Sequence, residues 1–73
     1  MMWIVSEIDI ITGGESNPSR KFSTFQAAED HARTICERWR EEGDEIISNG
    51  RIFLVNTDNG LLDYGAIIRE VEE

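Results

Sequence analysis

Few side chains in this sequence have the types needed for chemistry. There is one histidine, His31, and one cysteine, Cys36. Both fall inside a helical pattern. His31 lies between the apolar stripe and the charged face. Asp30 adjoins it in sequence, but neighbouring positions on a helix do not face each other. A general base or a metal ligand needs companions at helical spacing, and none stands there. A half-buried structural histidine is expected. Cys36 falls within the apolar stripe, where cysteine packs as a small hydrophobe. Arg40, one turn away, is the neighbour that would favour a thiolate. Core packing is expected here too. A single cysteine excludes a disulfide within the chain and a zinc site built on several thiolates. It fits a reducing compartment.

Two loops carry glycines or oxygen ligands in suggestive order. Thr12-Gly13-Gly14-Glu15-Ser16 lacks the Gly-Lys-Ser/Thr ending of a phosphate loop, and no helix starts there. Glu15 would repel a phosphate, so a plain turn is expected. Asn56-Thr57-Asp58-Asn59-Gly60 begins like a calcium loop. Leu61 and Leu62 then stand where further acids are needed. A hairpin turn is expected, and no metal or cofactor. Asn17-Pro18-Ser19 is no glycosylation site, because proline holds the middle position.

The acids are the remaining chemistry. Fifteen Asp and Glu against seven Lys and Arg give a net charge of −8. Binding to DNA or RNA requires clustered cations, and so does an anionic membrane surface. Direct contact with either is not expected. The run Glu41-Glu42-Gly43-Asp44-Glu45 is the densest acidic cluster. The periodicity places it at a helix C-terminus, where the dipole prefers cations. A local conflict of that kind can mark function.

The elements that would position these groups follow from the hydrophobic pattern. Met2 to Ile11 reads as a strand. Thr12 to Ser19 reads as a loop, and Arg20 to Ser23 as a short extended stretch able to pair back on the first strand. Phe25, Ala28, Ala32, Ile35, Cys36 and Trp39 mark one stripe of a helix. Ser23 or Thr24 would cap it. With Ser23 as cap, Gln26 completes a capping box, and Phe22 with Ala27 a staple. Gly43 would stop it. About 19 residues at about 1.5 Å each would span nearly 30 Å. Trp39 is then expected to be a buried anchor.

Past Gly43 the period becomes two. Glu45 to Ser48 reads as a strand, and Asn49-Gly50 as a type I′ hairpin turn. Ile52-Phe53-Leu54-Val55 is apolar on both faces. Asp58-Asn59-Gly60 reads as a second turn. A strand from Leu61 follows, with Gly65 as a possible bulge. Ile67, Ile68 and Val71 suit either its continuation or a short helix.

The predicted architecture is a single α+β domain over residues 1–73, in the order β-β-α-β-β-β. One helix lies on one face of a small antiparallel sheet of four to five strands. Its uncovered face is expected to carry apolar residues drawn from Trp3, Val5, Phe53 or Ile52, Leu54 or Val55, and Tyr64. Such a face wants a partner. The longest apolar runs are far short of the roughly 18 residues of a membrane span. Met1-Met2-Trp3-Ile4-Val5 lacks the basic start of a secretion signal. A cytoplasmic protein is therefore expected.

In size, acidity and its single helix on a sheet, the chain is similar to some phage-encoded inhibitors, including anti-CRISPR proteins. No shared motif accompanies that likeness. The expected function is a non-enzymatic protein-interaction module. Glu41, Glu42, Asp44 and Glu45 would face a basic partner surface, such as a nucleic-acid-binding groove, with Trp3 and Val5 on the apolar sheet face. The alternative is a homodimer that buries that face.

Overall fold

The computed structural model of the chain describes residues 1–16, 21–56 and 62–72. The α+β plan holds: one helix packs on an antiparallel sheet of six short and long strands. The strands are β1 (Met2–Asp9), β2 (Gly14–Glu15), β3 (Lys21–Phe22), β4 (Glu45–Asn49), β5 (Ile52–Asn56) and β6 (Leu62–Val71). Helix α1 (Phe25–Trp39) joins β3 to β4. Across the sheet the order is β2-β1-β6-β5-β4, with β3 on the same side of β1 as β2.

β1 ends two residues earlier than the pattern implies. Asp9 Oδ1 accepts from the backbone N–H of Ile11 at 3.0 Å and of Thr12 at 3.3 Å, which bends the chain away. Gly13, at φ +75°, completes that turn, and its N–H reaches the Asp9 carbonyl at 2.8 Å. The expected loop is thus a turn, and it also returns as the two-residue strand β2.

The helix is capped by Thr24, whose Oγ1 accepts from Ala27 N–H at 3.1 Å. Gln26 does not close a capping box on Ser23; its amide donates to Asp30 Oδ1 at 3.0 Å instead. The helix has 15 residues and ends at Trp39, short of the length expected. Arg40 is already extended, at φ −72° and ψ 130°. Gly43 therefore does not stop the helix. At φ +91° it makes the turn into β4.

The β4–β5 hairpin also differs in detail. Asn49 pairs with Ile52, so the two central residues are Gly50 and Arg51. Only Gly50 has positive φ, +65°. That sign pattern belongs to a type II′ turn and not to the type I′ turn expected from Asn49-Gly50. The turn expected at Asp58-Asn59-Gly60 lies outside the described residues. β6 runs unbroken to Val71, so the terminal helix alternative is gone. The register shift between β5 and β6 falls at Val55/Asn56, not at Gly65. Gly65 has another task. A Cβ there would overlap the Phe53 carbonyl oxygen and come within 2.8 Å of Leu54 Cδ2.

The core lies between helix and sheet. Ala28, Ala32, Ile35 and Cys36 descend onto Val5, Phe22, Phe53, Val55, Ala66 and Ile68. Ala28, Ala32 and Ala66 are fully buried, and their small side chains allow the helix to come close to the strands.

Candidate interaction surface

Register assigns each side chain to a face, because neighbours in a strand point opposite ways. Val5 pairs with Ile68, and Phe53 with Ala66, and all four are core. Trp3, Val5 and Glu7 therefore face the helix. Ile4, Ser6 and Ile8 face away. This corrects the expectation for Trp3 and Val5. Val5 is 3% exposed in the core. Trp3 packs against that core edge-on to Phe25, with ring centroids 5.0 Å apart, and Arg51 lies 5.1 Å from its ring. Phe53, Val55 and Tyr64 share the covered face with them.

The open face is instead built from Ile4 and Ile8 of β1, Ile67 of β6, Ile52 and Leu54 of β5, and Ile47 of β4. Its β1 side carries a polar bridge. Arg69, opposite Ile4, reaches Glu15, opposite Ile8. The pair is bidentate, with Nε–Oε1 at 3.1 Å and Nη2–Oε2 at 3.3 Å. It spans Ser6, which is buried although it points away from the helix. On the β4–β5 side the aliphatic groups are bare. Ile47 is 41% exposed and Ile52 37%. Ile52 stands beside Ile67, and Leu54 beside Ile47.

The acidic run lies just beyond the helix, between its cap Arg40 and the start of β4. The last turn of α1 holds Arg38, which suits the dipole. Glu41 to Asp44 form the following turn. Asp44 is buried, 7% exposed, and turns inward. Its Oδ2 accepts from Glu41 N–H at 3.1 Å. Its own N–H donates to the Glu41 carbonyl at 3.0 Å, and its carbonyl accepts from Arg40 Nε at 2.8 Å. Asp44 therefore holds the turn together and does not present a charge. Glu41, Glu42 and Glu45 are exposed. Glu45 opens β4 on the same face as Ile47, so this exposed acid borders the aliphatic patch.

A second cluster was not legible in the sequence. Glu7 Oε1 accepts from Tyr64 Oη at 2.5 Å and from Trp39 Nε1 at 3.2 Å. The Trp39 and Tyr64 rings lie 4.9 Å apart. Burial, together with the Glu7 carboxylate, pushes the Tyr64 hydroxyl up to about 12. Trp39 is thus a half-exposed rim residue, 52% exposed, and not the buried anchor expected. Beside this cluster opens a cleft of about 280 Å³ lined by Glu7, Asp9, Glu15 and Tyr64 with Ile8, Gly14 and Ser16. Its carboxylates are already engaged: Glu7 with the two aromatics, Asp9 with the turn, Glu15 with Arg69. Among the described residues no three His, Cys, Asp or Glu groups converge to hold a metal. The signal for Glu7 and Tyr64 was register across 57 positions, which a single sequence does not display.

His31 is half-buried against Phe22, with ring centroids 5.1 Å apart. Cys36 is fully buried, and burial pushes its thiol up to about 11. Both take the packing roles expected. The calcium-like stretch from Asn56 lies, beyond Asn56 itself, outside the described residues. No helix among the described residues is long and apolar enough to cross a membrane. No known protein family matches this chain, no curated protein is detectably similar in sequence, and no solved structure matches it.

Proposed function

We propose that this chain is a non-enzymatic protein-interaction module that docks through the β4–β5 side of its open sheet face. The partner is a protein surface with basic groups beside an apolar patch. The observation that carries this reading is that bare Ile47 and the exposed acid Glu45 share one face of β4, with bare Ile52 on the same open face and the exposed Glu41 and Glu42 just before β4 in the chain. Apolar burial would hold the complex, at about 25 cal/mol per Å² removed from water. The acids would steer the approach and set its salt dependence. A groove built for nucleic acid is a basic surface that a chain of net charge −8 fits. Occupying it would exclude nucleic acid, as some phage-encoded anti-CRISPR proteins do, to which the chain is similar in size and charge.

The test is affinity capture with the immobilised chain and two variants. One carries Ile52→Asp. The other carries Glu41→Gln, Glu42→Gln and Glu45→Gln together. The expected partner is lost with Ile52→Asp. With the triple variant it associates more slowly and less dependently on salt. A partner retained by both variants at every salt concentration would sink the proposal.

A further inference from the structure

The two margins of the sheet are unlike. One is shared by β2 and β3, two residues each. The other is β4, five residues long and exposed at all but Ile46. Natural edge strands are blunted by proline, lysine or a bulge, because unpaired N–H and C=O groups are a template for another strand. β4 has none of these. Its sequence Glu-Ile-Ile-Ser-Asn carries one charge, at its first residue.

The direction of its backbone groups follows from the ladder. The Arg51 carbonyl accepts from Ile68 N–H at 2.8 Å, so Arg51, Phe53 and Val55 bond toward β6. Ile52, Leu54 and Asn56 then bond toward β4, to Asn49, Ile47 and Glu45. Ile46 and Ser48 are left pointing outward.

We infer that two copies of this chain pair antiparallel along β4, Ile47 against Ile47, to form one continuous sheet across a two-fold axis. This register is singled out by its bonds. It sets Ile46 against Ser48 twice, so every outward N–H and C=O of β4 is used in both copies. A register centred on Ile46 would call on Asp44, whose N–H is already given to the Glu41 carbonyl. One centred on Ser48 would call on Gly50 in the turn. The charges agree as well. Glu45 of one copy falls opposite Asn49 of the other, so carboxylate meets amide and not carboxylate. A symmetric contact of this kind is closed and does not propagate into a fibre. Ile47, exposed in the single chain, meets its own twin at a non-hydrogen-bonded position, where side chains lie closest. The contact is short, so the dimer is reversible and depends on concentration. It leaves the Ile52 side of the open face free and does not rest on the docking proposed above.

The experiment combines sedimentation with site-specific cross-linking. The purified chain has a mass of 8.3 kDa and should move toward twice that mass as its concentration rises. Ser48→Pro removes an outward N–H and no bond to β5, so it should give a monomer with the wild-type circular dichroism. If that variant misfolds, Ile47→Lys, at an exposed position, serves the same purpose. Mild oxidation should then distinguish registers. Cysteines at Ile47 would have Cα atoms about 4.5 Å apart, within disulfide reach. Cysteines at Asn49 would be four residues out of register, about 13 Å apart. Buried Cys36 leaves the native background quiet. Ile47→Cys should cross-link, and Asn49→Cys and Ile52→Cys should not. A chain that stays monomeric up to about 1 mM, the weak end of specific association, would overturn the inference. So would a dimer that survives both Ser48→Pro and Ile47→Lys, or that cross-links through Ile52→Cys, which marks face-to-face packing.

Discussion

The two faces of this sheet are made of similar residues and meet opposite fates. Val5, Phe53, Val55 and Ile68 lie under the helix at 3% exposure or less. Ile47 and Ile52, one strand position or one rung away, stand at 41% and 37%. Composition does not separate them. Parity does, because a shift of one residue moves a side chain to the other face. The helix then selects a face through its own small residues, Ala28 and Ala32, which are fully buried and bring its backbone near the strands. The comparison teaches that the apolar content of β1 and β5 exceeds what one core needs. The excess is the best pointer to a contact surface.

The sharpest way to break the comparison is to truncate neighbours in one strand. Phe53→Ala should cost roughly 3–5 kcal/mol, since it empties a buried aromatic site. A domain of this size is stable by only about 5–15 kcal/mol at best. Ile52→Ala, on the open face, should cost well under half as much. Urea denaturation of the two variants checks this. Equal losses would mean that the open face is covered within the monomer.

The rim between the faces offers the next test. Trp39→Ala forfeits the bond to Glu7 and the contact with Tyr64, yet half of the indole is already in water. The expected loss is about 1–2 kcal/mol, below the cost of a buried tryptophan. Thermal denaturation beside Phe53→Ala would expose an error. A loss matching Phe53→Ala would show that Trp39 is an anchor after all.

Much of this arrangement was legible in the sequence, and the failures share a cause. The helix stripe, the extended stretch that returns to β1, the β4–β5 hairpin and the α+β class all rest on local periodicity and capping chemistry. Local signals were enough for them. The face assignment of Trp3 and Val5 failed because β1 carries isoleucines on one parity and Trp3 and Val5 on the other. Only pairing with β6 resolves that choice. Trp39 was overextended for a related reason. It continues the stripe, but the chain leaves the helix at Arg40. Asp44 looked like one acid among four. Its inward bond to Glu41 N–H depends on the turn that Gly43 makes possible at positive φ.

Alkaline pH tests the same rim by titration. Tyr64 goes from an ordinary value of 10.0 to about 12 in the folded chain, and Cys36 from 9.0 to about 11. Burial is the first cause in both cases. A raised folded pKa means that the unfolded chain gives up its proton first. Stability is then full below pH 9 and falls as pH rises from 9 through 12. Tyr64→Phe should flatten the upper part of that fall, between pH 10 and 12. Melting temperature against pH for both proteins is the measurement. Identical curves would show that the Tyr64 hydroxyl is not raised in the folded chain.

The smallest expected effect lies in the acidic corner, and it divides residues that look alike in sequence. Glu41, Glu42 and Glu45 are exposed. Changing all three to Gln should move stability by no more than about 0.5 kcal/mol, the usual range for surface substitutions. Asp44→Ala should cost about 1 kcal/mol or more, because it leaves Glu41 N–H without its acceptor at a turn that joins the helix to β4. The two variants can be compared in one urea series. If the triple variant is the more damaging, the three glutamates are part of the fold, and the steering assigned to them has no free charges to act through. If Asp44→Ala is silent, the turn is held by Gly43 and Arg40 alone. Asp44 would then rejoin the other acids as a possible contact. The expected split, one structural acid among three free ones, leaves the corner able to change its charge without changing its shape. A surface meant to meet a basic partner beside the Ile47 and Ile52 patch requires that freedom.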